Sequence, residues 1–294
     1  MSTTQSYKPL LNIVSSHNSK AIVKKVAIRL IIGVFLLFLL FPIYWMIVTS
    51  FKTNLEIYKI PPQWIPLQPT LDNYLGVFVD NNFLIYFMNN LYVSVGTTIL
   101  TSFAAVFAGY SLSRYRSRLG NVVNTGLLST QMFPVVGILL ALYMIFRDLH
   151  LINTRMALVI SLSAVTIPFS TLLIKGFFDD IPKSMEEAAK IDGCSRLGIL
   201  YRIVIPLSKP GLLAIGVFTF MQSWNDYLFA ITLIVTNSKR TLSAGISLRY
   251  LGEVSYDWAQ VATVSVVGAL PMFILIFIFQ RYMIKGLTAG AVKG

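Results

Sequence analysis

Cysteine occurs once, at Cys194, and histidine twice, at His17 and His150. An intrachain disulfide and a cysteine-based metal site are therefore excluded, and no histidine has a partner at metal-ligand spacing. Cys194 reads as a small residue after a helix stop. Acid is also scarce: 12 Asp and Glu stand against 24 Lys and Arg, and charged residues of both signs make up only 12% of the chain. That is too little polar surface to cover a soluble globule of 294 residues; with 55% hydrophobic residues and a mean hydropathy of +0.70, the chain reads as an integral membrane protein. No Gly-x-x-x-x-Gly-Lys-Ser/Thr phosphate loop, Gly-x-Ser-x-Gly elbow or His-Glu-x-x-His pair occurs. The chain is not expected to hydrolyse ATP itself, nor to be an enzyme.

What the sequence does contain is long runs free of Asp, Glu, Lys and Arg, at 30–51, 81–113, 119–146, 156–174 and 258–280, with a sixth at 210–238 broken only by Asp226. Each is long enough to cross the hydrocarbon core as a helix, so the predicted fold class is an all-α integral membrane protein with six transmembrane helices. The surplus positive charge follows the loops. Residues 1–29, 114–118, 175–209 and 281–294 hold 17 of the 24 basic residues. Basic loops stay in the cytoplasm, which places both termini and the 175–209 loop there. The charge is thus a membrane-orientation signal in contact with lipid, not a nucleic-acid footprint.

Residues 1–25 are polar and read as a flexible cytoplasmic arm ahead of one membrane domain, 26–294. The first apolar run is too long for a signal peptide core and reads as a retained anchor, kinked at Pro42. Pro61, Pro62, Trp64 and Pro66 suit an interfacial crossing outside the membrane. Gln131 and Pro134 in the third run, and Pro168 in the fourth, mark either helix interruptions beside a cavity or plain kinks. Asn89-Asn90 opens the second span, and Asn89 and Gln131 are further candidates for the pathway lining. In the fifth, a carboxylate at Asp226 costs about 2.5–3.5 kcal/mol unless it faces protein or water. At 100° per residue Thr219, Gln222, Asn225, Asp226 and Phe229 share one face, with Trp224 and Tyr227 on the other. That face is a candidate pathway lining; the competing reading is that Asn225 and Asp226 tie the helix to its neighbours.

The stretch from Ser184 to Gly193 predicts a short helix in the cytoplasmic loop. Ser184 and Glu187 form a capping-box pattern, Glu186 and Lys190 an i,i+4 pair, and Gly193 a stop. About eight residues do not hold a helix in water unaided, so it must lean on a neighbour.

Glu187-Ala188-Ala189, then Gly193, Ile203 and Ile205-Pro206, resembles the EAA loop of ABC importer permease subunits, departing only at Ile205, where leucine is usual. The resemblance implies a type I importer permease fold in which this loop, about 176–210, docks as a coupling helix in a cleft of an ATPase subunit. Glu186, Glu187, Ala188, Ala189, Asp192, Gly193, Ile203 and Pro206 are the implied coupling residues. Glu187 would meet a basic residue of the ATPase; if the capping box holds Glu187 back, Glu186 is the carboxylate that reaches out. The run Pro69-Thr-Leu-Asp-Asn-Tyr74, the Trp224-Asn-Asp-Tyr227 motif and the tail 281–294 resemble carbohydrate importers of the maltose type, and the likeness extends from about residue 30 to Gly294. It implies a second homologous permease, an ATPase dimer that holds ATP and Mg, a carbohydrate substrate, and an extracytoplasmic solute-binding protein met by the 237–257 loop with its Gly245 and Gly252. The alternative class is a stand-alone secondary transporter or channel, for which the 186–206 loop would have no purpose.

Overall fold

Surrounded by lipid, a backbone satisfies its polar groups only within its own helix or a closed barrel. The computed structural model describes residues 10–79, 81–115, 117–250 and 257–289, and every regular element among them is helical. In chain order these are α1 Leu10–Ser50, α2 Asn54–Ile57, α3 Asp72–Val79, α4 Asn81–Arg114, α5 Arg118–Thr130, α6 Val135–Asp148 and α7 Arg155–Asp179. There follow α8 Lys183–Ile191, α9 Arg196–Ile199, a π-helical turn Leu200–Val204, α10 Ile205–Leu207, α11 Lys209–Trp224, α12 Leu228–Leu233, a 3-10 turn Asn237–Lys239, α13 Leu242–Tyr250 and α14 Trp258–Ala289.

Among the described residues four helical segments are long and apolar enough to cross a membrane singly: Lys24–Ser50, Asn82–Arg114, Arg155–Asp179 and Trp258–Gln280. Two further helix pairs qualify only as bent units, α5 with α6 at 104° and Arg196–Leu207 with α11 at 80°. The chain therefore holds four to six candidate spans, and the expected third and fifth runs are not straight helices. The third breaks where the sequence signals it: Gln131 caps α5 and Pro134, which has no N–H to donate, starts α6. At Pro168 and Pro42, by contrast, α7 and α1 run on unbroken.

Helix α1 begins at Leu10, inside the stretch expected to be a flexible arm. No proline or glycine lies between Leu10 and Ile32, so nothing in the sequence stops a helix there. Its most apolar stretch has a mean hydropathy of 2.7 and is not buried, whereas Val48, Thr49 and Ser50 at its C-terminal end are. A stretch apolar on every side and left this exposed belongs in lipid or against another membrane chain, although α1 also runs beside α14. The C-terminal end of α1 packs against the proline-rich loop. Trp64 meets Trp45 edge-on at 5.7 Å, and the Tyr44 hydroxyl donates to the Trp64 carbonyl at 2.7 Å.

The molecule is assembled on the long contact between α4 and α7, with α11 laid across both. Small residues let the backbones approach: a Cβ on Gly109 would stand 2.7 Å from Ile174 Cγ2 and 3.3 Å from the α7 backbone at Thr171 and Lys175. Between these helices buried hydroxyls face one another, Thr101 with Thr166 at 2.9 Å and Ser170 with Thr219 at 3.4 Å, as expected where lipid supplies no hydrophobic drive for helix association. At one end of this contact Leu158, Leu162, Phe229 and Leu233 form an apolar cluster; at the other, Ile174, Phe178, Ile199, Leu200 and Ile215 form a second beneath α8.

Gly109→Val is expected to lower the thermal midpoint of the detergent-solubilised protein by several degrees, since overpacking against backbone costs about 1–3 kcal/mol. Gly33→Ala, which meets nothing within 4 Å, serves as the control. Equal midpoints for the two would show that α4 and α7 do not meet at Gly109.

Candidate functional site

Pro182 has φ −59° and ψ 129° and sits immediately before α8 as its N-cap, so the helix opens at Lys183. Ser184 is thereby already inside the first turn, and the predicted capping box does not form; Pro182, with its fixed φ, sets the start instead. Glu187 is free of it and exposed. The C-terminus is as expected. Gly193 takes φ +78°, its N–H reaches the Lys190 carbonyl at 3.1 Å, and the Cys194 N–H reaches the Ala189 carbonyl at 2.9 Å. These two bonds are a Schellman closure, which a left-handed glycine permits without strain.

Glu186 does not pair with Lys190. It lies on the inner face of α8, where Oε1 accepts from Arg114 Nε at 2.5 Å and Oε2 from the Tyr110 hydroxyl at 3.0 Å. The Arg114 and Glu186 side chains are only 8% and 5% exposed. An exposed i,i+4 pair is worth a few tenths of a kcal/mol, whereas a desolvated carboxylate demands a full charge-assisted partner, and the end of α4 supplies it. The expectation of Glu186 as the reaching carboxylate is therefore reversed: Glu186 holds α8 from within and Glu187 faces out.

The contacts continue inward. Arg114 Nη1 donates to Ser113 Oγ at 2.7 Å, Ser113 Oγ donates to Asp179 Oδ1 at 2.5 Å, and Lys175 closes on Asp179 Oδ2 at 2.6 Å. One polar chain thus joins α8 to the ends of α4 and α7. Ala189 is half-buried against the apolar cluster beneath α8, while Met185, Glu187, Ala188, Ile191 and Asp192 stand outward. Ile191 is 87% exposed, an apolar group in water on a helix otherwise tied down. Ile203 and Pro206 are not on that surface. They shape the return to the membrane: Pro206 cannot donate to a carbonyl one turn back, and the preceding turn widens into the π form before the bend at Ser208.

The predicted polar face of the fifth run does not survive, because the helix ends at Trp224 and α12 starts at Leu228. Asp226 lies in the break, and its carboxylate accepts from the N–H groups of Phe229 at 3.2 Å and Ala230 at 3.0 Å. It caps α12, which satisfies an acid that lipid would not tolerate bare. Thr219 and Phe229 are buried in helix contacts, and only Gln222 and Asn225 remain exposed. Asn225 shares a cavity of about 400 Å³ with Trp224, Leu242, Gly268 and Met272. The break is anchored from outside, with Asn90 donating to the Trp224 carbonyl at 3.2 Å and Trp224 Nε1 to the Gly268 carbonyl at 3.1 Å.

Asn89 is buried and gives both amide hydrogens to the Ser238 and Arg240 carbonyls, each at 2.9 Å, so it fastens a loop and lines no path. Gln131 is exposed at the end of α5. Gly245 is not in an open loop but inside α13, pressed against the Tyr86 ring where a Cβ would clash; Gly252 lies outside the described residues. Two contributors escaped sequence reasoning. Arg114 was legible only as one charge of a basic loop. Asn153, at φ 63°, accepts from the Val235 and Thr236 N–H groups and ties the α6–α7 corner to the strap after α12; an asparagine in the left-handed region is the available signal.

Residues 70–288 match the family described as the binding-protein-dependent transport system inner membrane component, and the chain belongs to that family. The sulfoquinovosyl glycerol transport system permease protein SmoH of Agrobacterium fabrum is 37% identical over 87% of this chain and 89% of its own. The trehalose/maltose transport system permease protein MalG of Thermococcus litoralis is 33% identical over 91% and 97%. Among solved structures, a bacterial ABC transporter involved in the import of the acidic polysaccharide alginate superposes with a TM-score of 0.79 over 96% of this chain and 99% of that one, at 23% identity, a likeness of fold.

Removing the guanidinium in Arg114→Ala leaves Glu186 buried without its cation, a loss of about 3–5 kcal/mol in comparable pairs. Hydrogen exchange over residues 183–193 is expected to accelerate strongly in that variant and to recover in Arg114→Met/Glu186→Leu, which replaces both charges by apolar groups. Unchanged exchange in Arg114→Ala would mean that α8 is held by something else.

Proposed function

We propose that this chain is one permease subunit of a binding-protein-dependent importer for a sugar or oligosaccharide, forming half of the translocation pathway and driven by ATP hydrolysis in partner subunits. Family membership and the carbohydrate named for the transport systems of its relatives support the substrate class. One observation carries the mechanical reading: α8 turns a mixed apolar and acidic face outward while the Glu186–Arg114 pair fixes its inner face to the transmembrane body.

In this reading the chain crosses the membrane six times, with both bent helix pairs as spans and both termini in the cytoplasm, where the basic loops lie. A second homologous permease covers the apolar surface that α1 leaves open, together with lipid. Two ATPase subunits hold ATP and Mg; this chain supplies the handle. When ATP draws the ATPases together, the outward residues Met185, Glu187, Ala188 and Ile191 move with the cleft that grips them. The force passes through Glu186 to Arg114 and α4, and through Ser113 to Asp179 and α7, so that helices move as rigid bodies and the pathway turns to the other side. Such a shift requires a ligand that binds the two states with different affinity, and ATP at the motor meets that condition. A solute-binding protein delivers the sugar on the far side, and Gln222 and Asn225 at the break of the fifth span are the polar groups left to face the pathway.

The tagged chain purified in mild detergent is expected to bring with it an ATPase subunit and a second permease; recovery alone, with transport independent of ATP, would establish the stand-alone transporter instead. In reconstituted complexes Gly193→Val is expected to abolish ATP-dependent uptake while the protein still inserts, because a β-branched residue at φ +78° costs about 1–2 kcal/mol and reopens the helix end. Undiminished uptake would remove the lever from the mechanism. Asp226→Ala, which uncaps α12 at a cost of about 0.5–2 kcal/mol, is expected to lower the yield of folded complex, whereas Gln222→Leu is expected to leave yield intact and change uptake. Normal yield with lost uptake for Asp226→Ala would return that carboxylate to the pathway.

A further inference from the structure

A polar cavity of about 350 Å³ lies where the ends of α4 and α7 meet the start of α5, next to the contacts that hold α8 but outside the outward surface of that helix. Ser113, Tyr115, Asn121, Asn124, Lys175 and Asp179 are among its walls. Its volume is at the lower end of the range, about 300–1,000 Å³, in which small-molecule sites fall. Asn121 and Asn124 are three apart on α5 and so share a face. Neither side-chain amide has a hydrogen bond among the described residues, although each offers two donors and an acceptor. Opposite them stands the Lys175–Asp179 pair, closed on one side by Ser113. The ammonium retains unused N–H groups and the carboxylate unused lone pairs.

This donor set discriminates among ligands. A free anion is disfavoured, because the only cation in the wall is already neutralised by Asp179 and that carboxylate faces the same space. A metal cation finds one carboxylate beside an ammonium, and no group of three potential metal ligands exists among the described residues. An apolar ligand would strand two amides and an ion pair without solvent. What satisfies two amides, an ammonium and a carboxylate together is a neutral molecule bearing several adjacent hydroxyls, each able to donate and accept; the Tyr115 ring in the same wall carries the Arg196 guanidinium over one face, 5.5 Å from its centroid.

We propose that this cavity is a binding site for a polyhydroxyl ligand on the cytoplasmic side of the protein. The ligand is either the released sugar or the polyol headgroup of an inner-leaflet lipid; the free-sugar source rests on the import reading above. Ser113 and Asp179 belong both to the cavity wall and to the chain of contacts that ends on Glu186. An occupant competes for the hydrogen bonds that support α8, so occupancy is felt at the handle itself.

The test uses the purified full-length protein in its complex, stripped of lipid, with maltose, trehalose or glycerol at millimolar concentration, and in separate arms phosphatidylglycerol or phosphatidic acid. The expected result is a saturable rise of about 2–4 °C in thermal midpoint with a free sugar, lost in Asn121→Ala/Asn124→Ala. That variant removes only side chains without partners, and its ligand-free midpoint should match the parent's. Should it not fold, Asn124→Asp, which sets a second carboxylate beside Asp179, is expected to weaken binding at least tenfold. A rise with phosphatidylglycerol but with neither phosphatidic acid nor free sugar, again lost in the variant, assigns the site to a lipid headgroup. No rise in any arm, a rise retained in the variants, or an equal rise with phosphatidic acid overturns the proposal. ATP-dependent uptake measured on the same preparations separates this outcome from failure of the import reading, which would abolish uptake without altering the phosphatidylglycerol arm.

Discussion

The buried pair between Glu186 and Arg114 is the contact on which the α8 end of the molecule depends. Each of its members sits at a place where a charge is costly, one at the mouth of a membrane helix and one on the inner face of a nine-residue helix that cannot persist in water by itself. Together they convert two liabilities into a joint. Tyr110 fills one remaining carboxylate position, Ser113 engages the guanidinium, and Asp179 and Lys175 extend the chain to α7. A surface salt bridge would be screened and soft; this one is withdrawn from solvent and is not.

The same economy of polar groups governs the membrane-embedded half. Hydroxyls of Thr101, Thr166, Ser170 and Thr219 lie between α4, α7 and α11, and glycine at 109 brings the backbones close enough for them to meet. At the one place where the sequence inserts a carboxylate among apolar residues, the helix gives way, and the freed N–H groups of α12 become the partners of Asp226. Broken helices are tolerated at membrane depth only where protein or a cavity surrounds them, and both are present here: Asn90 and Gly268 on one side, the cavity beside Asn225 on the other.

The local physics of α8 stands apart from the family assignment. Helix length, the left-handed Gly193 and the exposed Ile191 describe a short rigid element with one face spare, whatever the family. Membership in the binding-protein-dependent permeases names an inner membrane component of a transport system, the setting in which the proposal gives that spare face its use. The exposed apolar surface of α1 makes the parallel argument within the membrane, since the chain alone leaves residues 24–42 largely uncovered.

Much was legible in the sequence because it depends on neighbours along the chain. The membrane character, the positions of the apolar runs, the interruption at Gln131 and Pro134, and the stop at Gly193 follow from composition, from proline's missing N–H and from glycine's missing Cβ. Those are local causes, and no partner is needed to read them. What the tertiary structure alone decided concerns which way a polar group turns. Whether Glu186 or Glu187 faces outward depends on Arg114, 72 positions earlier. That Asn89 fastens a loop depends on carbonyls about 150 positions later. A helical projection of the fifth run assumed the helix continued, whereas Asp226 found a better use by ending it. A side chain's local pattern states what it can bond to; only packing sets which partner is near enough, and in a protein surrounded by lipid an unpartnered group is too costly to leave the choice open.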